Sequence, residues 1–189
     1  MSRPPRAREP IKQAALGLFV RQGVHATGIR EIAKTAGCSE AALYRHWSNK
    51  DDLVASLFQE HLGEVVDLLQ RAIDSADGFP AKLVAACTAA FRLYDEQPLV
   101  FHFVLLVRHE QALFLSNDIR MPQDLLEDLL QPVCRDHQQA VLMSAAALGI
   151  FLQTAEYVIY GRLRGPLSAH TEEVSDSILR LLGIETPAD

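Results

Sequence analysis

A chain of 189 residues, 49% of them hydrophobic, is long enough to bury a sizeable core and too apolar to be disordered. Its three cysteines are odd in number and far apart, with no CxxC or Cys/His cluster; this excludes a disulfide framework and a zinc-site pattern, and neither metal nor cofactor is expected. The net charge of −6 is unevenly spread: residues 1–50 hold nine Lys and Arg against three acids, a net +6, while residues 51–189 hold nine against 21, a net −12. A basic head on an acidic body points to a polyanion met by the head alone.

The predicted elements follow in chain order. Ile11, Ala14, Ala15, Leu18 and Phe19 recur at helical spacing over residues 8–22, and Gly23 supplies the stop. Thr27 is the expected N-cap of a second helix with Ile29, Ile32, Ala33 and Ala36 on its buried face. Gly37, Cys38 and Ser39 break it, with Ser39 placed to cap a short third helix anchored by Leu43 and Trp47. Ser48 to Asp51 reads as a capping box that starts a long fourth helix through Leu53, Leu57, Phe58, Leu62, Val65, Leu69 and Ile73. After Gly78 a fifth helix runs over 79–94 and stops before Pro98. The run Leu99–Val107 predicts a buried helix, because no partner strand is visible. Residues 116–122 predict a loop, and Leu125, Leu126, Leu129 and Leu130 a helix that Pro132 kinks or ends. Residues 140–163 are apolar on most faces; the run 140–152 is too short for a membrane span and predicts a buried helix, so no membrane association is expected. A last helix carries Val174, Ile178, Leu181 and Leu182 before Gly183.

Helix, glycine turn and short helix make a helix-turn-helix unit, in whose DNA-binding form the second helix enters the major groove. The third helix would then turn Leu43 inward and present Glu40, Ala41, Ala42, Tyr44, Arg45 and His46 to double-stranded DNA. The fold class is all-α: an N-terminal three-helix helix-turn-helix head over 1–50, then a larger helical bundle over 51–189, about nine helices in total.

The stretch "TGIREIAKTAGCSEAALYRHWSNKDDL", residues 27–53, preceded by "AALGLFVRQG", resembles the DNA-binding domain of the tetracycline-repressor (TetR) family. The resemblance covers about the first quarter of the chain, through core, cap, turn and phosphate-contact positions together. Two departures stand out: Trp47 where the family more often has phenylalanine, and the Ala41-Ala42 pair, which offers little hydrogen bonding. The resemblance implies a homodimeric transcriptional regulator, expected to be a repressor, that reads a palindromic operator and is released by a small-molecule effector bound in the body. It implies phosphate contacts for Thr27, Tyr44, His46 and Lys50, and base-edge contacts for Ser39, Glu40, Ala41, Ala42 and Arg45, with Arg30 reaching a guanine or a phosphate. Hydroxyl, phenol, imidazole and ammonium groups suit phosphate oxygens, and Arg on guanine is the commonest specific contact. Arg3, Arg6 and Arg8 form a basic arm, free or following a groove.

In the body, the resemblance implies an effector pocket between helices, for which Phe58, Leu62, Phe91, His102, Phe103, Leu106, Phe151, Thr154 and Tyr157 are the candidates. Core and pocket look the same at this level, and the acidity of the body favours neutral or cationic effectors over anions. Leu148, Leu152, Ala155, Ile159, Val174, Ile178 and Leu181 are the candidates for a four-helix dimer interface. An enzyme is not expected, because the seven histidines show neither HExxH nor paired ligand spacing and no nucleophile motif is present. The alternative is a DNA-binding regulator or architectural protein whose body binds a protein partner. With no apolar secretory segment at the start of the sequence, a cytoplasmic setting is expected.

Overall fold

The structure, a computed structural model, describes residues 8–106 and 119–184. Among them are nine α-helices and no strand. The chain divides into two compact units, one of residues 8–62 and 99–106, the other of residues 63–98 and 119–184.

The first unit begins with α1, Arg8–Gln22, which buries Ile11, Ala15, Leu16, Leu18 and Phe19 at the predicted spacing. Gly23 ends it with φ +83°, a left-handed conformation that only glycine adopts without strain. α2, Ile29–Thr35, is capped by Gly28, not by Thr27. Thr27 is 1% exposed, and its hydroxyl donates backward to Gly23 O at 2.7 Å, so it pins the turn and has no oxygen turned toward α2. α3, Glu40–Tyr44, has the expected cap: Ser39 Oγ accepts from Ala42 N at 3.2 Å. α4, Lys50–Asp74, starts one residue later than a Ser48 cap would give. Asn49 Oδ1 accepts from Asp52 N at 2.8 Å, and the Asp52 carboxylate accepts from Ser48 N at 2.7 Å, so the two ends of the box are one residue further on.

Residues 98–106 are helical, as predicted: α6, Pro98–Phe101, continues into a π-helical turn, His102–Leu106. Its Phe103 stacks on Phe19 at 6.1 Å between ring centroids and meets Phe58 edge-on at 6.0 Å. The expected division of function lies after residue 50, and the compact units part after Leu62, inside α4. Three short helices bury too little apolar surface alone, and the first half of α4 and this later segment complete their core.

The second unit contains α5, Phe79–Glu96, entered through Gly78 at φ +78° with a proline in its first turn. α7, Pro122–Leu130, ends where Pro132 imposes a short 3₁₀ turn. α8, His137–Ile159, is capped by Asp136, whose side chain accepts from Gln139 N at 2.8 Å. α9, Thr171–Leu181, follows a 3₁₀ turn held by Asp95, whose two oxygens accept from Leu167 N at 2.7 Å and Ser168 N at 3.0 Å. α5 packs on α9, α9 on α8, and α8 on α7. Leu83, Phe91, Phe151, Leu167, Val174 and Leu179 are among the side chains buried there.

Of the 23 residues of α8 only Ala140, Ser144, Ala147, Phe151 and Ala155 are buried. By length and composition alone this helix could cross a membrane, contrary to what the interrupted 140–152 run suggests. The helix extends beyond that run at both ends, which restores the length.

Candidate nucleic-acid interface

The geometry of α3 follows from two anchors and a cap. Leu43 is fully buried and Trp47, four residues on, is 3% exposed, so one face of the helix is committed to the core. Gly37 at φ +69° turns the chain sharply between α2 and α3, and Ser39 fixes where α3 begins. With that face turned in, the opposite face has only solvent to meet. Arg30, Ser39, Glu40, Ala41, Tyr44 and Arg45 are exposed, Tyr44 by 51%, and Ala42, His46 and Lys50 are half-buried.

Trp47 is the hub of a small cluster. His46 meets its ring edge-on at 5.5 Å, and the Arg8 guanidinium lies 5.8 Å from its centroid, within cation–π range. The indole fills the anchor position and also receives α1's first arginine, which a free arm would have left in solvent. Arg3 and Arg6 lie outside the described residues.

Two of the expected cationic and polar contacts are turned inward. Thr27, as described, is buried and bonded to the chain. Lys50 Nζ donates to Val24 O at 2.9 Å, to Thr27 O at 3.1 Å and to His25 O at 3.5 Å. A third basic residue of the head, Lys12, is 9% exposed and pairs with Glu60 of α4 and with Glu9 at 3.2 Å. Burial works against its charge, but hydrogen bonds and charge from Glu60 and Glu9 outweigh it and hold the Lys12 pKa above the usual lysine value. A hydrogen bond from Gln13, then one from Lys12, holds Glu9 below the usual carboxylate value. Lys12 could have been found from spacing, since it shares a helical face with Arg8, Ala15 and Phe19. Among the described residues of the head, the exposed lysines and arginines are Arg8, Arg21, Arg30, Lys34 and Arg45.

The expected pocket residues are divided between the two units. Phe58, Leu62 and Phe103 are each 1% exposed and belong to the core of the first unit. In the second unit Phe91 stacks on Phe151 at 4.5 Å with planes 13° apart. Thr154 donates its hydroxyl to Ile150 O at 2.8 Å, and Tyr157 is exposed beneath Arg162, whose guanidinium lies 5.6 Å from its ring. His102 and Leu106 are half-buried. Ser144 Oγ is buried without a hydrogen-bond partner, alone among the described residues in that respect.

The expected dimer residues divide as well. Ala155, Val174 and Ile178 are buried within the chain, because α8 and α9 face each other and spend those side chains on one another and on α5. Leu148, Leu152 and Ile159 are half-buried and Leu181 is exposed. The outward stripe of α8 is instead Leu142, Ala145, Gly149, Gln153, Tyr157 and then Tyr160, at intervals of three and four. Leu142 and Tyr160 are 63% and 71% exposed.

Comparison with known proteins is concentrated on the head. The family described as bacterial regulatory proteins, tetR family, matches residues 11–57. The HTH-type transcriptional repressor KstR2 of Mycolicibacterium smegmatis is 27% identical over 116 residues, 61% of this chain and 55% of that protein. The HTH-type transcriptional activator FasR of the same organism is 37% identical over 78 residues, 41% of this chain and 36% of that one. The chain thus spans about half or less of the length of these curated relatives. The transcriptional regulator FadR from Bacillus subtilis, solved in complex with stearoyl-CoA, superposes over 90% of this chain and 96% of its own with a TM-score of 0.74 at 19% identity. That likeness is one of fold.

Proposed function

We propose that the chain, whose residues 11–57 match the tetR family of bacterial regulatory proteins, is a helix-turn-helix transcriptional regulator of that family: a cytoplasmic repressor that binds a palindromic operator as a homodimer and leaves it when a small molecule occupies its helical body. The observation that carries the reading is the division of α3: Leu43 and Trp47 hold one face in the core while Ser39, Glu40, Ala41, Tyr44 and Arg45 stand out from the other. Tyr44 and His46 would touch phosphates, and Arg30, Glu40 and Arg45 base edges, with Ala41 and Ala42 offering methyl groups to thymine. Thr27 and Lys50 place the neighbouring backbone.

Homodimerisation is supported by the unburied stripe of α8, apolar but for Gln153 and the tyrosine hydroxyls, which a second copy would cover across a two-fold axis. That axis would set two α3 helices about 34 Å apart, or a multiple of it, matching an inverted repeat. The effector is proposed as a molecule with a long apolar portion, because the interior of the second unit is aliphatic and aromatic and a fold neighbour carries stearoyl-CoA. The unpartnered Ser144 hydroxyl offers one polar contact. The net −12 of residues 51–189 opposes a polyanionic head group, so neutral apolar ligands and stearoyl-CoA are the two probes to set against each other.

The test is selection of binding duplexes from a random-sequence pool by the purified protein, followed by footprinting and a thermal-shift series with both probes. Enrichment of an inverted repeat, steep salt dependence, and a raised Tm with loss of the footprint for one probe are expected. No enriched sequence would refute the operator reading. An enriched repeat with no response to either probe would shift the body's role toward a protein partner.

A further inference from the structure

Lys50 opens α4, where its charge is poorly placed, because a helix N-terminus is itself the positive end of the macrodipole. Three backbone carbonyls offset this. Its Nζ reaches Val24 O, Thr27 O and, less closely, His25 O, at 2.9, 3.1 and 3.5 Å. All three belong to the connection between α1 and α2. That connection is otherwise tied by Thr27 N on Val24 O at 3.2 Å and by the Thr27 hydroxyl on Gly23 O at 2.7 Å. An ammonium has three N–H donors, and here each has a carbonyl. The bonds to Val24 O and Thr27 O are part-buried, so swinging the ammonium out to a phosphate would give up both.

We infer that Lys50 is a positioning residue: its ammonium clamps the first turn of α4 to the α1–α2 connection and makes no phosphate contact of its own. α2 begins two residues beyond Thr27, so the clamp ties the start of α4 to the start of the helix-turn-helix pair. A shift of α4 would then be passed to α2 through three hydrogen bonds. The DNA half of this inference rests on the operator reading above, whereas the clamp itself is a property of the free protein.

Two variants of the full chain test it. Lys50→Met keeps the length of the side chain and removes every donor. Lys50→Arg keeps the charge but presents a planar fork that does not suit three carbonyls converging on one point. Thermal unfolding without DNA, and the dissociation constant for the selected duplex across a salt series, are measured for both. The clamp predicts that each variant lowers Tm by roughly 4 °C or more, with the slope of log Kd against log salt unchanged. A phosphate contact predicts an unmoved Tm, a slope lower by about 0.9 per bound subunit, about 1.8 for the dimer, for Lys50→Met, and wild-type behaviour for Lys50→Arg. A slope loss of that size overturns the inference whatever Tm does, and so does an unmoved Tm in both variants. If Lys50→Met does not fold, Lys50→Arg decides: a lowered Tm at wild-type slope upholds the clamp, and wild-type values of both overturn it. If the wild-type protein binds no duplex, the operator reading fails separately, and the Tm series alone upholds or overturns the clamp.

Discussion

The head and the body of this protein expose opposite kinds of surface. α3 and its caps show solvent a serine, a glutamate, an alanine, a tyrosine and an arginine, while α8 shows it leucine, alanine, glycine, a glutamine and two tyrosines. The formal charge changes with it, from +6 over residues 1–50 to −12 beyond. The difference follows from what each surface would meet. A duplex presents phosphates and base edges at set spacings, so particular side chains are needed at particular places. An apolar partner surface or an apolar ligand needs only hydrophobic area in roughly the right shape. The likeness to known proteins divides the same way, with a family match over residues 11–57 and, across 90% of the chain, a fold match at 19% identity.

The sharpest way to break this comparison is to unfold the head through its own core. Trp47→Ala should cost about 3–5 kcal/mol and abolish duplex binding, because the indole anchors α3 and receives Arg8. Urea denaturation alongside binding assays checks it, and lost binding at full stability would mean that Trp47 is a contact and not an anchor.

Next come the exposed tips. Arg45→Ala and Tyr44→Ala should each weaken duplex binding by about 1–3 kcal/mol while leaving Tm within a degree or so. Repeating the selection with Arg45→Ala should relax preference at one base position of each half-site, whereas Tyr44→Ala should weaken all sequences alike. An unchanged logo for Arg45→Ala would move that residue to the phosphate class.

On the body, Leu142→Glu places a charge in the exposed stripe of α8. We expect the monomer–dimer constant to shift at least tenfold, about 1.4 kcal/mol, as read by light scattering across a dilution series, with little change in helicity by circular dichroism. Retained dimers would exclude the α8 stripe from the interface.

The smallest effect belongs to Lys12. Its folded pKa lies above the usual lysine value, so its ion-pair stabilisation is fully present below that value and is lost as pH rises through the folded one. Denaturation midpoints from neutral pH to above about pH 10.5 should therefore fall more in the wild type than in Lys12→Met. At neutral pH that variant should be less stable by about 1 kcal/mol, since Glu60 keeps partial access to water. Parallel pH profiles would show that the pair contributes nothing.

Much of the local architecture was legible from residue order. The spacing of Ile11, Ala15, Leu18 and Phe19 and the stop at Gly23 mark α1 from Arg8 to Gln22, as observed. Ser39 as a cap, Leu43 and Trp47 as anchors, and the Pro132 break are likewise local matters, decided within four residues by hydrogen-bond reach and helix period. The helix starts at Thr27 and Ser48 differ from the structure by one residue, because the Thr27 hydroxyl is committed to Gly23 O and because Asn49, next to Ser48, takes the Asp52 amide.

Residue order by itself determined the helices, the turn between α2 and α3, and the outward set on α3. The tertiary structure alone decided the destination of the long polar side chains and the division of the apolar ones. Lys50 meets carbonyls more than twenty residues back, Lys12 meets Glu60, and Asp95 caps a turn at Leu167. Val174 and Ile178 are consumed inside the chain while Leu142 is left outside. The physical reason is common to both: a hydrogen-bond partner or a buried face is set by which helices come together in space, and hydrophobic spacing along one helix carries no record of its neighbour.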